Sequence, residues 1–193
     1  MEPSTTPVEE KIIEATIECI ERYGIQETTN RKIAEMAGVN SAAINYYFRS
    51  KDALIQRCMQ VTLENAFDFE DFERLPGATA REHCAAIFNE IIEGGLNYPG
   101  ITRAHFYDLL AAGSYDSLAV EKLNEFVQKL ADDLAEGGVG LTRQELQLAC
   151  AQIISAILTA VLAPQLFSTG LGIDMRDEAT RKAFVGRLVE RLL

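Results

Sequence analysis

The chain has 193 residues, 48% of them hydrophobic, with five prolines and no tryptophan. That composition excludes a disordered chain and fits a soluble globular protein with a sizeable core, in one large domain or two small ones. Its net charge of −11 is spread unevenly: residues 28–57 carry Arg31, Lys32, Arg49, Lys51 and Arg57 against Glu35 and Asp52, a net of +3, between acidic flanks.

A basic segment in an acidic chain hints at a face for a polyanion. Cys19, Cys58, Cys84 and Cys150 stand singly with no CxxC pair, and the two histidines, His83 and His105, are far apart in the sequence. No metal site, redox motif or cofactor is expected, and the cysteines read as reduced thiols on apolar helix faces. Residues 1–7 have neither a basic start nor an apolar run, so they read as a short disordered lead rather than a signal peptide.

The first helix is expected over Val8–Tyr23, where Ile12, Ile13, Ile17, Ile20 and Tyr23 recur at helical spacing between Glu14, Glu18 and Glu21, and Gly24 stops it. Thr28 and Thr29 are caps for a second helix, NRKIAEMA, ended by Gly38. Asn40 caps a third, SAAINYYF, with Val39 and Ile44 as a hydrophobic staple. Ser50 caps a fourth, residues 51–67, with Asp52 in its first turn. Ala34, Gly38, Val39 and Ile44 fill the positions where a helix-turn-helix needs a small residue, a left-handed turn and two apolar pins. The same spacing also fits any short αα-hairpin.

The stretch FDFEDFERLP reads as the end of the fourth helix and a loop. Further helices are expected over Thr79–Gly94, Pro99–Ala112, Ser117–Glu136, from a Thr142–Glu145 capping box to about Pro164, and over Asp177–Leu193. Residues 146–173 carry no charge and are long enough to span a bilayer, but Gln147, Gln152, Gln165 and Pro164 interrupt them, so a buried helix and no membrane partner are expected. No period-2 strand pattern appears. The fold class is all-α, with about nine helices: an N-terminal three-helix helix-turn-helix domain over 1–53 and a larger helical domain over 54–193.

From Ile12 to Leu54 the chain reads IIEATIECIERYGIQETTNRKIAEMAGVNSAAINYYFRSKDAL. The Tyr23–Gly24 pair, the run TTNRKIAEMAGV, the aromatic trio Tyr46, Tyr47 and Phe48, and Ser50–Lys51 opening the next helix strongly resemble the DNA-binding domain of the TetR family of transcriptional regulators. The resemblance implies that the third helix reads DNA. Ser41, Ala42, Ala43 and Asn45 would lie along the major groove, where Asn45 can pair two-pronged with adenine and an alanine methyl can meet a thymine methyl. Thr29, Arg31, Tyr46, Tyr47 and Lys51 would grip phosphates, with Phe48 in the core. Where this chain has Asn45 a tyrosine is common in the family, and glycine and threonine are common where it has Ala42 and Ala43. The target sequence therefore cannot be borrowed from a relative.

The eighth helix is apolar nearly all round, and such a helix must be buried on every side. The resemblance implies that it and the last helix form a four-helix bundle with a second copy, through Ile153, Ile157, Val161, Phe184, Val185, Leu188 and Leu192, and that the homodimer meets a palindromic operator. The larger domain would hold an unknown small-molecule effector. Phe88, Tyr98, Arg103, His105, Phe106, Tyr107, Tyr115, Gln152 and Ser155 are the candidate contacts.

The function expected is a ligand-responsive, cytoplasmic, prokaryotic regulator, by default a repressor released by its effector, associated with the nucleoid when bound to DNA. No nucleophile elbow, phosphate loop or paired-carboxylate motif suggests an enzyme. The alternative is a helical small-molecule-binding or scaffold protein with a degenerate DNA reader.

Overall fold

The computed structural model describes residues 6–113 and 115–193, without the side chains of Asp108 and Ala112. Among them lie twelve helices and no strand: α1 (Pro7–Tyr23), α2 (Asn30–Ala37), α3 (Ser41–Phe48), α4 (Lys51–Ala66), α5 (Phe69–Glu73), α6 (Ala80–Asn97), α7 (Pro99–His105), α8 (Tyr107–Ala112), α9 (Leu118–Glu136), α10 (Arg143–Leu162), α11 (Gln165–Leu171) and α12 (Glu178–Leu192). The expected lead lies outside the described residues up to residue 5. Thr6 caps α1 in a capping box with Glu9, and Pro7 is its first residue.

Three elements exceed the nine expected. FDFEDFE is not all loop, because Asp68 accepts a hydrogen bond from the Glu70 N–H and starts α5. The single helix expected over Pro99–Ala112 breaks at Phe106 into α7 and α8. Beyond Pro164 the chain turns again as α11, closed by Gly172 in the left-handed region.

The contacts divide the chain into two compact units. Unit 1 holds residues 1–65 and 100–114, and unit 2 holds residues 66–99 and 115–193. This differs from the boundary expected after residue 53. Leu54 and Cys58 of α4 are fully buried with Ile12, Ile33 and Ile44, so α4 completes the small core of unit 1. Each of the leucine and isoleucine side chains removed from water contributes about 1.5–3 kcal/mol.

Within unit 1, α1 and α7 are joined by two devices. The Glu21 carboxylate accepts hydrogen bonds from the Gly100 N–H at 2.8 Å and the Ile101 N–H at 3.0 Å, satisfying the open end of α7. Gly100 packs so closely on α1 that a Cβ there would sit 2.6 Å from Glu21 Cα. Thr62 Oγ1 of α4 lies 2.9 Å from His105 Nε2 of α7, and burial pushes that imidazole down to about 4.

Unit 2 is built on α6, α9, α10 and α12. Phe126 of α9 is the hub of an aromatic nest, with ring centroids of Phe67, Phe69, Phe72 and Phe88 at 5.3–6.2 Å. Arg181 of α12 is buried, donating to Glu93 on α6 at 2.5 Å and to the Met175 carbonyl at 3.2 Å. α10 is long and apolar enough to cross a membrane by length and composition. Eight of its residues are nevertheless buried in the chain's own core, from Leu146 to Val161.

All four cysteines are buried and unpaired. Burial pushes the Cys58 thiol up to about 12 and the Cys150 thiol up to about 11, so both are protonated at neutral pH.

Candidate nucleic-acid interface

The α2–turn–α3 segment is fixed from both ends. Thr29 Oγ1 accepts from the Lys32 N–H and caps α2, while Thr28 is buried and donates its hydroxyl to the Gly24 carbonyl at 2.9 Å. Thr29, not Thr28, is therefore the cap. At the other end Gly38 takes φ 66°, ψ 32°. Its N–H reaches the Glu35 carbonyl and the Val39 N–H reaches the Ala34 carbonyl, the paired bonds of a Schellman stop. Asn40 Oδ1 then accepts from the Ala42 N–H at 2.9 Å and starts α3. The two helices are pinned by Ala34 (5% exposed) and Ile44 (0%).

Burying Ile44 sets the rotation of α3. Ser41, Ala42, Asn45 and Tyr46 are exposed, and Ala43 and Tyr47 are half-buried. Tyr46 is 81% exposed and stands edge-on to Tyr47, with ring centroids 5.0 Å apart. Tyr47 and Phe48 pack against the unit 1 core. Arg31 on α2 and the cap residue Thr29 are exposed as well.

The cations are not equally available. Lys51 donates its ammonium to the Thr28 carbonyl at 3.2 Å, tying the start of α4 to the α1–α2 connection. Lys32 donates to the Glu27 carbonyl at 2.8 Å and sits 4.5 Å over the Tyr23 ring. Arg57 lies 3.9 Å from the Glu64 carboxylate. Arg31 and Arg49 have no hydrogen bond or ion pair from their side chains among the described residues. Arg49 was not among the expected contacts. Its signal was in the sequence only as a charge beside the aromatic run.

The candidate effector residues are not gathered into one set. Phe88 is fully buried in the aromatic nest of unit 2. Gln152 and Ser155 face outward on α10, Ser155 donating to the Ala151 carbonyl at 2.7 Å, so neither points into the core. Tyr98 (58%), Tyr107 (41%) and Tyr115 (73%) are exposed, as is Arg103. Phe106 is half-buried at the α7–α8 break, and His105 is taken up by Thr62.

The expected dimer residues also need correction. Ile153, Ile157 and Val185 are 0% exposed and Val161 is 5%, because α10 and α12 bury them against α6 and α9 of the same chain. Only Phe184, Leu188 and Leu192 of that set retain exposed surface.

Among the described residues no group of three or more His, Cys, Asp or Glu side chains could hold a metal ion.

Three comparisons bear on this arrangement. The family described as bacterial regulatory proteins, tetR family, matches residues 12–58. The HTH-type transcriptional regulator BetI 1 of Chromohalobacter salexigens is 35% identical over 80 residues, 41% of this chain and 40% of that protein. The match thus spans about two-fifths of the length of that curated relative. In overall fold the chain is similar to the fatty acid degradation regulator FadR of Bacillus halodurans, with a TM-score of 0.72 and 20% identity over 98% of this chain and 96% of that one. It is also similar to FadR of Bacillus subtilis, solved in complex with stearoyl-CoA, with a TM-score of 0.66 and 20% identity over 95% and 98%.

Proposed function

We propose, from the match of residues 12–58 to the tetR family of bacterial regulatory proteins, that the chain is a homodimeric repressor that binds a palindromic DNA operator and is released by a small-molecule effector. The observation that carries the reading is the presentation of α3. Ile44 is locked inside, and Ser41, Ala42, Asn45 and Tyr46 stand outside on a helix anchored by a Schellman turn. A rigid helix with exposed polar and small side chains is what enters a major groove. Its early residues meet base edges, and flanking hydroxyls and cations hold the phosphates.

Overall acidity does not oppose this. Residues 28–57 are a net +3 within the acidic chain, and the negative remainder repels duplex DNA that α3 does not recognise. Partnership with DNA places the protein in the cytoplasm.

The dimer is assigned to the outward side of α10 and α12. Leu148, Ala151, Gln152, Ser155 and Thr159 form an exposed stripe on α10 without a charge, and Phe184, Leu188 and Leu192 are half-buried apolar residues of α12. The effector is assigned to the larger helical unit. The stearoyl-CoA complex of a protein of similar fold makes a long-chain acyl-CoA the first ligand to try. A ligand that releases DNA must bind the two states differently, and DNA must weaken the ligand by the same factor.

The direct test is titration of the DNA flanking the protein's own gene against a shuffled duplex. A preference of about a thousandfold is expected for an operator. Equal binding to both would favour the second reading, a ligand-binding helical protein whose DNA reader no longer discriminates.

A further inference from the structure

The turn between α3 and α4 is unusual. Arg49 closes α3 with φ 64°, ψ −39°, the one described non-glycine residue with positive φ. The Ser50 N–H donates across it to the Phe48 carbonyl at 2.7 Å, an i→i+2 bond. This is the γ-turn of positive φ, which is rare and strained for a residue with a Cβ. Glycine would adopt it without penalty. The turn itself therefore does not call for arginine, and the fold is held against the preference of the residue it carries.

What the side chain does inside the domain offers no compensation. Arg49 is exposed and its guanidinium has no partner among the described residues. Its basic neighbours are committed elsewhere: Lys51 to the Thr28 carbonyl, Lys32 to the Glu27 carbonyl and the Tyr23 ring, and Arg57 near Glu64. The start of α4 is not a substitute anion site. Ser50 Oγ already accepts from the Ala53 N–H at 3.1 Å, and Asp52 places a carboxylate in the first turn. An uncommitted guanidinium is thus left at the end of the helix that carries Tyr46, on the far end from Asn40.

We infer that Arg49 is a phosphate-contacting residue of the DNA interface, held at a strained turn for its charge. The inference rests on the reading of α3 as the DNA reader and adds a contact to it. A guanidinium is an apt group for this position, since its planar fork matches two phosphate oxygens and it stays charged at every working pH. Such a contact neutralises backbone charge and releases counterions. It fixes the register of α3 and does not choose bases.

The experiment uses the wild type with R49G, R49A and R49K, on the duplex the wild type recovers from a random-sequence pool and on a shuffled one, at several salt concentrations. Thermal unfolding of each protein is measured alongside. R49G and R49A should weaken binding to both duplexes by the same factor. Each should flatten the slope of log affinity against log salt by about one ion per protomer. R49K should keep most of the slope. R49G should unfold at a higher temperature than the wild type, because it relieves the turn, while R49A should not. Stability rising as binding falls separates a charge contact from a structural role.

R49A with the wild-type slope would overturn the inference and leave the DNA reading intact. So would loss of binding in R49G alone, which would place the effect in turn geometry. A wild type that binds no duplex at any salt concentration would overturn both.

Discussion

His105 Nε2 lies 2.9 Å from Thr62 Oγ1, in surroundings that hold the imidazole neutral with its titration down near 4. In the unfolded chain the same group titrates near its ordinary value of about 6.5. Between those values the unfolded state binds the extra proton. Stability is therefore complete above about pH 6.5 and falls as the pH drops towards 4, by at most about 3 kcal/mol. Denaturant midpoints at pH 7 and pH 5 should differ for the wild type and converge for His105→Gln, which keeps a hydrogen-bonding group and removes the titration. Equal pH dependence in both would show that His105 is not the source. Gly38 is a second single-residue test. At φ 66° an alanine costs about 1–2 kcal/mol, so Gly38→Ala should lower the unfolding temperature and loosen α3 from α2. An unchanged unfolding temperature would mean that the turn can relax. The caps at Thr29 and Asn40 were legible in the sequence because each bonds a backbone N–H two or three residues on. Arg49 was not, since nothing in the surrounding letters announces a positive φ on an arginine.

The link between α1 and α7 belongs to no single residue. Glu21 supplies a carboxylate to two backbone N–H groups of α7, and Gly100 permits the approach. Glu21→Gln keeps the acceptor oxygen but gives up the charge-assisted part of both bonds, about 1–2 kcal/mol together. Gly100→Ala should cost more, about 1–3 kcal/mol, because its Cβ meets the backbone of α1, which cannot rotate away as a side chain can. Hydrogen exchange of the Gly100 and Ile101 amides should quicken in Glu21→Gln, and protection equal to the wild type would contradict the assignment. This pairing joins positions far apart in the chain, so no local pattern could reveal it. Long, capped, periodic helices such as α1, α9 and α10 were readable. The five-residue α5, the break at Phe106 and α11 were not, since each is decided by packing rather than by a run of periodic residues. The near-uniform apolarity of α10 concealed its phase. It promised burial on all sides, yet Ile153 and Ile157 are spent on the chain's own core and Ala151, Ser155 and Thr159 are left outside.

For the whole molecule, the proposed repressor needs two copies, and the uncharged outer stripe of α10 is where the second is assigned. Ser155→Glu would bury a carboxylate in that interface without touching the monomer core. Sedimentation should then show a monomer with native helix content and a matching loss of operator affinity. A dimer as tight as the wild type would move the interface elsewhere. The resemblance to the tetR family was legible in residues 12–54 and the all-helical architecture in the periodicity along the chain, but the effector contacts were not. Their candidates were chosen as polar and aromatic letters on helices, and Phe88, Gln152 and Ser155 divide between a packed core and an outer face. The central claim is that the exposed side of α3 reads DNA sequence. It is tested most directly by selecting binding sites from a random duplex pool with the wild type and with Asn45→Ala in parallel. The account expects a palindromic motif for the wild type. In the variant, discrimination should be lost at one symmetry-related position in each half-site, worth about 1–3 kcal/mol per base pair, with the rest of the motif retained. The same motif with the same discrimination at every position would contradict it.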